Sequence, residues 1–203
     1  MAQLFDQILA KGARSGQMPA RTKRAREWYR KQAQRTSKAI ADPEKILAET
    51  SRRNSTPKTK FEIGSMYMFS YDAKHKDTLP YYDQFPLIFP INIAKGGLLG
   101  INMHYLPPLL RAKLMDALYT VSTDKRYDEN TKIALSYDIL NGSSKFKEFK
   151  PTIKHYLSKQ IKSRLIDIAP AEWDIALFLP TARFAGASNA KVWADSRKII
   201  RGR

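Results

Sequence analysis

GSMYMFSYDAKHKDTLPYYDQFPLIFPINIAKGGLLGINMHYLPP, residues 64–108, gathers most of the strand-like aromatics, prolines and glycines of this 203-residue chain into one block. Three runs in it, 66–71, 85–93 and 98–106, are rich in Tyr, Phe and Ile, residues that suit a pleated, half-buried surface. Residues 72–83 form a loop with a Leu79-Pro80-Tyr81-Tyr82 turn, and Lys95-Gly96-Gly97 reads as a tight hairpin, since glycine reaches positive φ without steric penalty. The block predicts a small, bent antiparallel sheet to which the remaining chain adds helices.

Working outward, Pro107-Pro108 opens a helix in which Leu109, Leu110, Leu114, Ala117, Leu118 and Val121 recur at helical spacing. A second helix is predicted over 129–140, closed at Asn141-Gly142, and a third over 152–165, where Ile153, Tyr156, Leu157 and Ile161 share a side. Residues 165–168 lean towards strand and suit the last strand of the sheet; 171–179 and 188–200 are again helical. Towards the N-terminus, Leu4, Phe5, Ile8 and Leu9 share a short helical face that Gly12 is expected to end. The segment 20–40 predicts a basic helix carrying Arg21, Lys23, Arg24, Arg26, Arg30, Lys31, Arg35 and Lys38, spread around it rather than along one stripe. Trp28 is expected to pack on the core, as buried aromatics usually do, rather than to stack on a base. Asp42-Pro43-Glu44 opens a further short helix, and 51–60 reads as a polar, basic linker. The expected organisation is a basic helical arm with linker, 1–60, and an α+β core with a basic tail, 61–203; an SH3-like barrel is one form the sheet could take.

Charge is segregated. The formal net charge is +17, of which residues 1–60 carry 15 basic against 5 acidic side chains and 183–203 carry 6 against 1, whereas 61–182 balance 15 against 13. Basic ends around a near-neutral centre suit a polyanion partner, because Lys and Arg release counterions condensed on phosphates. Arg21, Lys23, Arg24, Arg26, Arg30, Lys31, Arg35, Arg52 and Arg53, with Arg197, Lys198, Arg201 and Arg203, are the expected contacts to the phosphates of such a partner, without sequence reading.

The absence of cysteine excludes disulfides, thiolate metal sites and a cysteine nucleophile. No apolar run reaches the roughly 18–20 residues of a membrane span, and the first residues do not have the form of a secretory signal. His75, His104 and His155 lack partners at metal-ligand spacing. Lys95-Gly96-Gly97-Leu98-Leu99-Gly100 lacks the Gly-Lys-Ser/Thr ending of a phosphate loop. Asp138 with Glu148-Phe149-Lys150 only superficially matches a metal-dependent nuclease, whose acid and lysine normally sit on a strand. No cofactor, metal site or enzymatic activity is expected.

The blocks Gly64-Ser65-Met66-Tyr67-Met68-Phe69, Leu79-Pro80-Tyr81-Tyr82-Asp83, Phe85-Pro86-Leu87 and Gly100-Ile101-Asn102-Met103-His104-Tyr105-Leu106-Pro107 resemble a family of small virion proteins of large contractile-tailed bacteriophages, most closely the DNA end protector (head completion) class. Arg111-Ala112-Lys113, Glu172-Trp173-Asp174, Leu179-Pro180 and Arg26-Glu27-Trp28-Tyr29-Arg30 extend the likeness. The resemblance implies a non-enzymatic protein of the virion, met in the host cytoplasm during assembly, that binds packaged DNA ends at the head–neck junction beside other virion proteins. The competing expectation is a structural protein of neck, tail or baseplate whose basic arms pack against neighbouring subunits.

Overall fold

The computed structural model describes residues 4–17, 22–53, 61–122, 138–140, 142 and 147–202. Most of the helix expected over 129–140, and residues 54–60 of the expected linker, lie outside them.

The expected sheet forms. Strands β1 (Met66–Met68), β3 (Leu87–Ala94), β4 (Gly97–Asn102), β5 (Ile153–Leu157) and β6 (Ile166–Ile168) make one antiparallel sheet in the order β5-β4-β3-β1-β6. Alternation along β1 sends Met66 and Met68 to a large apolar cluster on one face and Tyr67 to a smaller one on the other, where Phe69 follows. Both faces are therefore covered, and the strand is buried at every position. The β3–β4 hairpin turns at Gly96, whose φ is 75°, and a bulge between Pro90 and Asn92 accommodates the proline that cannot donate to the ladder. β2 (Tyr82–Asp83) pairs with β7 (Phe184–Ala185) in a separate two-stranded ribbon. The sheet is open, with β5 and β6 at its edges, so the SH3-like barrel is not formed.

Residues 152–165, expected as a helix, instead supply β5 and a 3-10 turn, Ser158–Gln160. The apolar spacing there fits either period over so short a run. Unpaired N–H and C=O groups along β4 decide it: Gly97–Ile101 pair with Leu157–Ile153 in register. Gly97 permits this closeness, since a Cβ there would collide with the Tyr156 carbonyl oxygen. The expected strand at 165–168 is β6, paired with β1.

On the large-cluster face lie α1 (Leu4–Arg14), α2 (Lys23–Arg35), α3 (Pro43–Arg53) and α4 (Pro108–Ser122), with α5 (Trp173–Ala176) between α2 and the sheet. Trp173 sets its ring edge-on to Phe89 at 5.1 Å and donates its indole N–H to the Ile168 carbonyl at 2.8 Å. The C-terminal helix α6 (Asn189–Arg201) is capped by Ser188, which accepts from the Lys191 N–H, and ends at Gly202 with φ 72°. Gly12 does not end α1. It lies within the helix where the Tyr29 ring of α2 approaches so closely that a side chain would not fit.

Phe5, Ile8, Tyr29, Ala33, Ile46 and Leu47 belong to the same apolar cluster as Phe89, Leu118 and Trp173, so α1–α3 are docked on the sheet layer. Trp28 packs against that cluster as expected, edge-on to Tyr29. The docking is polar as well. Arg30 donates its Nε–H to Asp174 at 2.6 Å and an Nη2–H to Asp116 at 2.8 Å, and Arg26 reaches Asp116 at 3.4 Å while its guanidinium covers the Tyr119 ring. Burial raises the Asp174 carboxyl above its ordinary range although Arg30 pulls the other way. Burial alone would lower the Arg30 pKa, but Asp116 and Asp174 together raise it.

Two expectations follow. Gly97→Ala should force β5 off β4 and cost about 1–3 kcal/mol, as overpacking does; an unchanged urea midpoint would contradict the pairing. Asp174→Ala, which leaves the buried Arg30 with Asp116 alone and its Nε–H without an acceptor, should cost about 1–3 kcal/mol in the same measurement.

Candidate nucleic-acid interface

The basic helix α2 sorts its charge. With 3.6 residues per turn, Ala25, Arg26, Tyr29, Arg30 and Ala33 fall on the buried face, and Lys23, Arg24, Glu27, Lys31, Gln34 and Arg35 on the exposed one. The cations are thus not spread evenly around the helix, as the sequence suggested. Two are consumed by internal carboxylates, and four form an outward stripe diluted only by Glu27. Among the described residues no carboxylate pairs with Lys23, Arg24, Lys31 or Arg35. Thr22 caps the helix by accepting from the Ala25 N–H at 3.1 Å. No acid occupies the first turn.

Arg26 and Arg30 of the expected contact set face inward: they are 9% and 8% exposed and bonded to Asp116 and Asp174, so their charge is engaged within the fold. Sequence spacing could have separated them: the Ala25, Tyr29, Ala33 repeat marks the inward side, and both arginines flank it. Arg197, Lys198 and Arg201 are exposed on α6. Lys198 lies 4.0 Å from Asp195, which Lys191 already holds at 2.8 Å, whereas Arg197 and Arg201, one turn apart, have no carboxylate partner among the described residues. Arg52 and Arg53 close α3, and Arg21 and Arg203 lie outside the described residues.

A groove of about 710 Å³ separates the end of α2 from the start of α6, with Lys38 on one wall and Ser188 on the other. Arg111 forms part of its floor. That guanidinium is 4% exposed and donates to the carbonyls of Leu106, Leu177 and His104 at 2.7, 2.8 and 3.1 Å, with the Trp193 ring alongside. Burial lowers its pKa to about 10, leaving it protonated at neutral pH. Arg197 and Arg201 sit about one and two turns along α6 from Trp193 at the edge of this groove.

Beneath the groove runs a buried polar chain. Asp83 binds His104 Nδ1 at 2.8 Å, His104 Nε2 lies 3.2 Å from the Thr181 hydroxyl, and Asn102 donates to Asp83 at 2.9 Å. Carboxylate, imidazole and hydroxyl stand in the order of a nucleophilic triad. However, His104 is fully buried, Thr181 is 3% exposed, and Asp83 also accepts from the Phe85 N–H. The chain joins the β2 ribbon to the end of β4, which is a structural task. His75 and His155 are exposed, and no cluster of three or more potential metal ligands occurs among the described residues. The acid and lysine of the nuclease-like pattern fall in a 3-10 segment, Lys147–Thr152, rather than on a strand. No described helix is long and apolar enough to cross a membrane.

Sequence reasoning missed a second concavity. Between the 72–83 loop and β5 lies a pocket of about 510 Å³ walled by Tyr71, Tyr81, Tyr82, Tyr105 and Tyr156. The tyrosines were visible, but reading 152–165 as a helix kept Tyr156 away from Tyr71. The alternation of Ile153, His155 and Leu157 with Lys154 and Tyr156 was the available signal.

Neither a search of curated proteins nor one of solved structures returned a match. A family match covers residues 20–200, nearly the whole of what is described above, from α2 to α6. With its sheet, its docked basic helix and its polar centre all inside that span, the chain belongs to the family of the phage T4 terminal DNA protecting protein.

Proposed function

We propose that this protein binds the ends of packaged duplex DNA at the head–neck region of the virion, completes the head and shields those ends from nucleases without catalysing a reaction. The observation that carries this reading is the outward stripe of α2, whose four cations pair with no carboxylate among the described residues. Lys23, Arg24, Lys31 and Arg35 would contact phosphates, with Arg197, Lys198 and Arg201 of α6 and, from the rest of the basic segments, Arg21, Arg52, Arg53 and Arg203. Contacts of this kind hold DNA through its backbone and carry no sequence information. Other virion proteins of head, neck or tail are the expected neighbours, and assembly would take place in the host cytoplasm.

Deleting residues 1–60 is not a clean test, because Phe5, Tyr29 and Leu47 would leave the core with the charge. Surface substitution is. In a salt series on linear duplex DNA, the Arg24→Ala, Lys31→Ala, Arg35→Ala triple variant should flatten the slope of log affinity against log salt by about 2.7, at roughly 0.9 per lost phosphate contact. No binding near physiological salt, or an unchanged slope, would overturn the proposal and leave α2 as a docking surface for an acidic neighbouring subunit.

A further inference from the structure

The tyrosine pocket is built unlike the α2 stripe. Tyr71 and Tyr156 belong to the smaller apolar cluster, on the sheet face opposite the one that receives α2. They stand edge to face at 5.0 Å, and Tyr81 approaches Tyr105 at 6.2 Å. At about 510 Å³ the space lies within the range of small-molecule sites, ~300–1,000 Å³, and is large enough for a nucleotide.

A single cation is set into these aromatic walls. Lys154 Nζ lies 4.1 Å from the centre of the Tyr105 ring. Burial lowers its pKa, and no carboxylate pairs with it among the described residues. The nearby acids are engaged elsewhere: Asp83 holds His104 and Asn102, and Asp72 holds Lys76 and the Tyr82 hydroxyl. Lys74 is exposed at the rim beside His75 and His155, so a second ammonium stands at the opening. Burial raises the pKa of all five tyrosines, which leaves the walls neutral phenols that do not repel an anion. Flat apolar walls with one uncompensated cation match a ligand that joins an aromatic ring to a phosphate.

We infer that this pocket takes the terminal nucleotide of a DNA strand, its base among the tyrosine rings and its phosphate at Lys154. The inference rests on the DNA-binding reading above and adds to it the means of telling an end from the interior. A base inside a duplex reaches such a pocket only by being flipped out, which costs a few kcal/mol, whereas a terminal base is held by stacking on one side only. Stacking on aromatic rings tolerates any base, as an end-binding protein requires.

The test compares two duplexes of equal length and sequence, one open-ended and one closed at both ends by hairpin loops, each carrying 2-aminopurine at the end or in the middle. With the unaltered chain, the terminal probe of the open duplex should change its fluorescence, the internal probe should not, and the closed duplex should bind at least about tenfold more weakly, within the range that one stacked base contributes. Tyr81→Ala and Lys154→Gln should each weaken open-end binding about 5- to 150-fold, leaving closed-duplex affinity and thermal unfolding unchanged. Equal affinity for both duplexes with a silent terminal probe would overturn the pocket assignment while DNA binding stands. A pocket that instead takes free deoxynucleoside monophosphate, with open ends failing to compete, would overturn the assignment to strand ends. Failure of both duplexes to bind would remove this inference together with the proposed function.

Discussion

Burying the Arg30 guanidinium obliges the fold to supply carboxylates where α2 meets it, and Asp174 and Asp116 answer from α5 and α4. A lone interior charge would be far costlier than the pair, so this contact is less a source of net stability than a condition on how the helix sits. Once Arg30 and Arg26 face inward, helical geometry dictates the rest. Tyr29 must lie against Gly12 of α1, Ala33 against the core, and Lys23, Arg24, Lys31 and Arg35 towards solvent. A helix that would repel itself through like charges at i,i+4 is thereby made stable and presents a concentrated positive face.

The polar centre under the groove obeys the same rule at lower charge. His104 lies at the junction of the sheet, α4 and α6, and its carbonyl accepts from both Arg111 and the Trp193 indole, at 3.1 and 2.9 Å. Its ring bridges Asp83 and Thr181, and Asn102 links Asp83 to the Tyr156 hydroxyl at 2.8 Å. Networks in which each member is satisfied fix geometry strongly, because breaking one link leaves an unpaired buried group. The segment Gly100–Pro107 that contains Asn102 and His104 is thus constrained side chain by side chain.

Much of the sheet was legible because its signals are local. Gly96 needs a left-handed conformation, Tyr67 and Phe69 alternate with methionines, and Pro108 and Ser188 open their helices at the expected places. What was not legible depended on partners distant in sequence. The five residues 153–157 fit either period, and only the vacant edge of β4, more than fifty residues earlier, makes them a strand. Likewise, the Ala25, Tyr29, Ala33 repeat hints at an inward side beside Arg30 and not Arg35, but what takes up the Arg30 charge is visible only when Asp174 is placed beside it, and the tyrosine pocket only once Tyr156 stands next to Tyr71.

In the proposed function, a cationic stripe and an aromatic pocket on opposite faces of one sheet would divide the task of recognising a DNA end. Phosphate contacts are the same at an end as along the duplex, so charge on α2 would attract and orient DNA but could not by itself prefer a terminus. Preference requires an interaction that the duplex interior makes only at a cost, and a pocket for a single base is of that kind. The pocket alone would be a poor magnet, since Lys154 is one partly buried charge, and a site entered by one nucleotide gains little from long-range attraction. Together the two surfaces would supply capture and selection separately, which suits a basic chain whose near-neutral central segment carries the most constrained part of the structure.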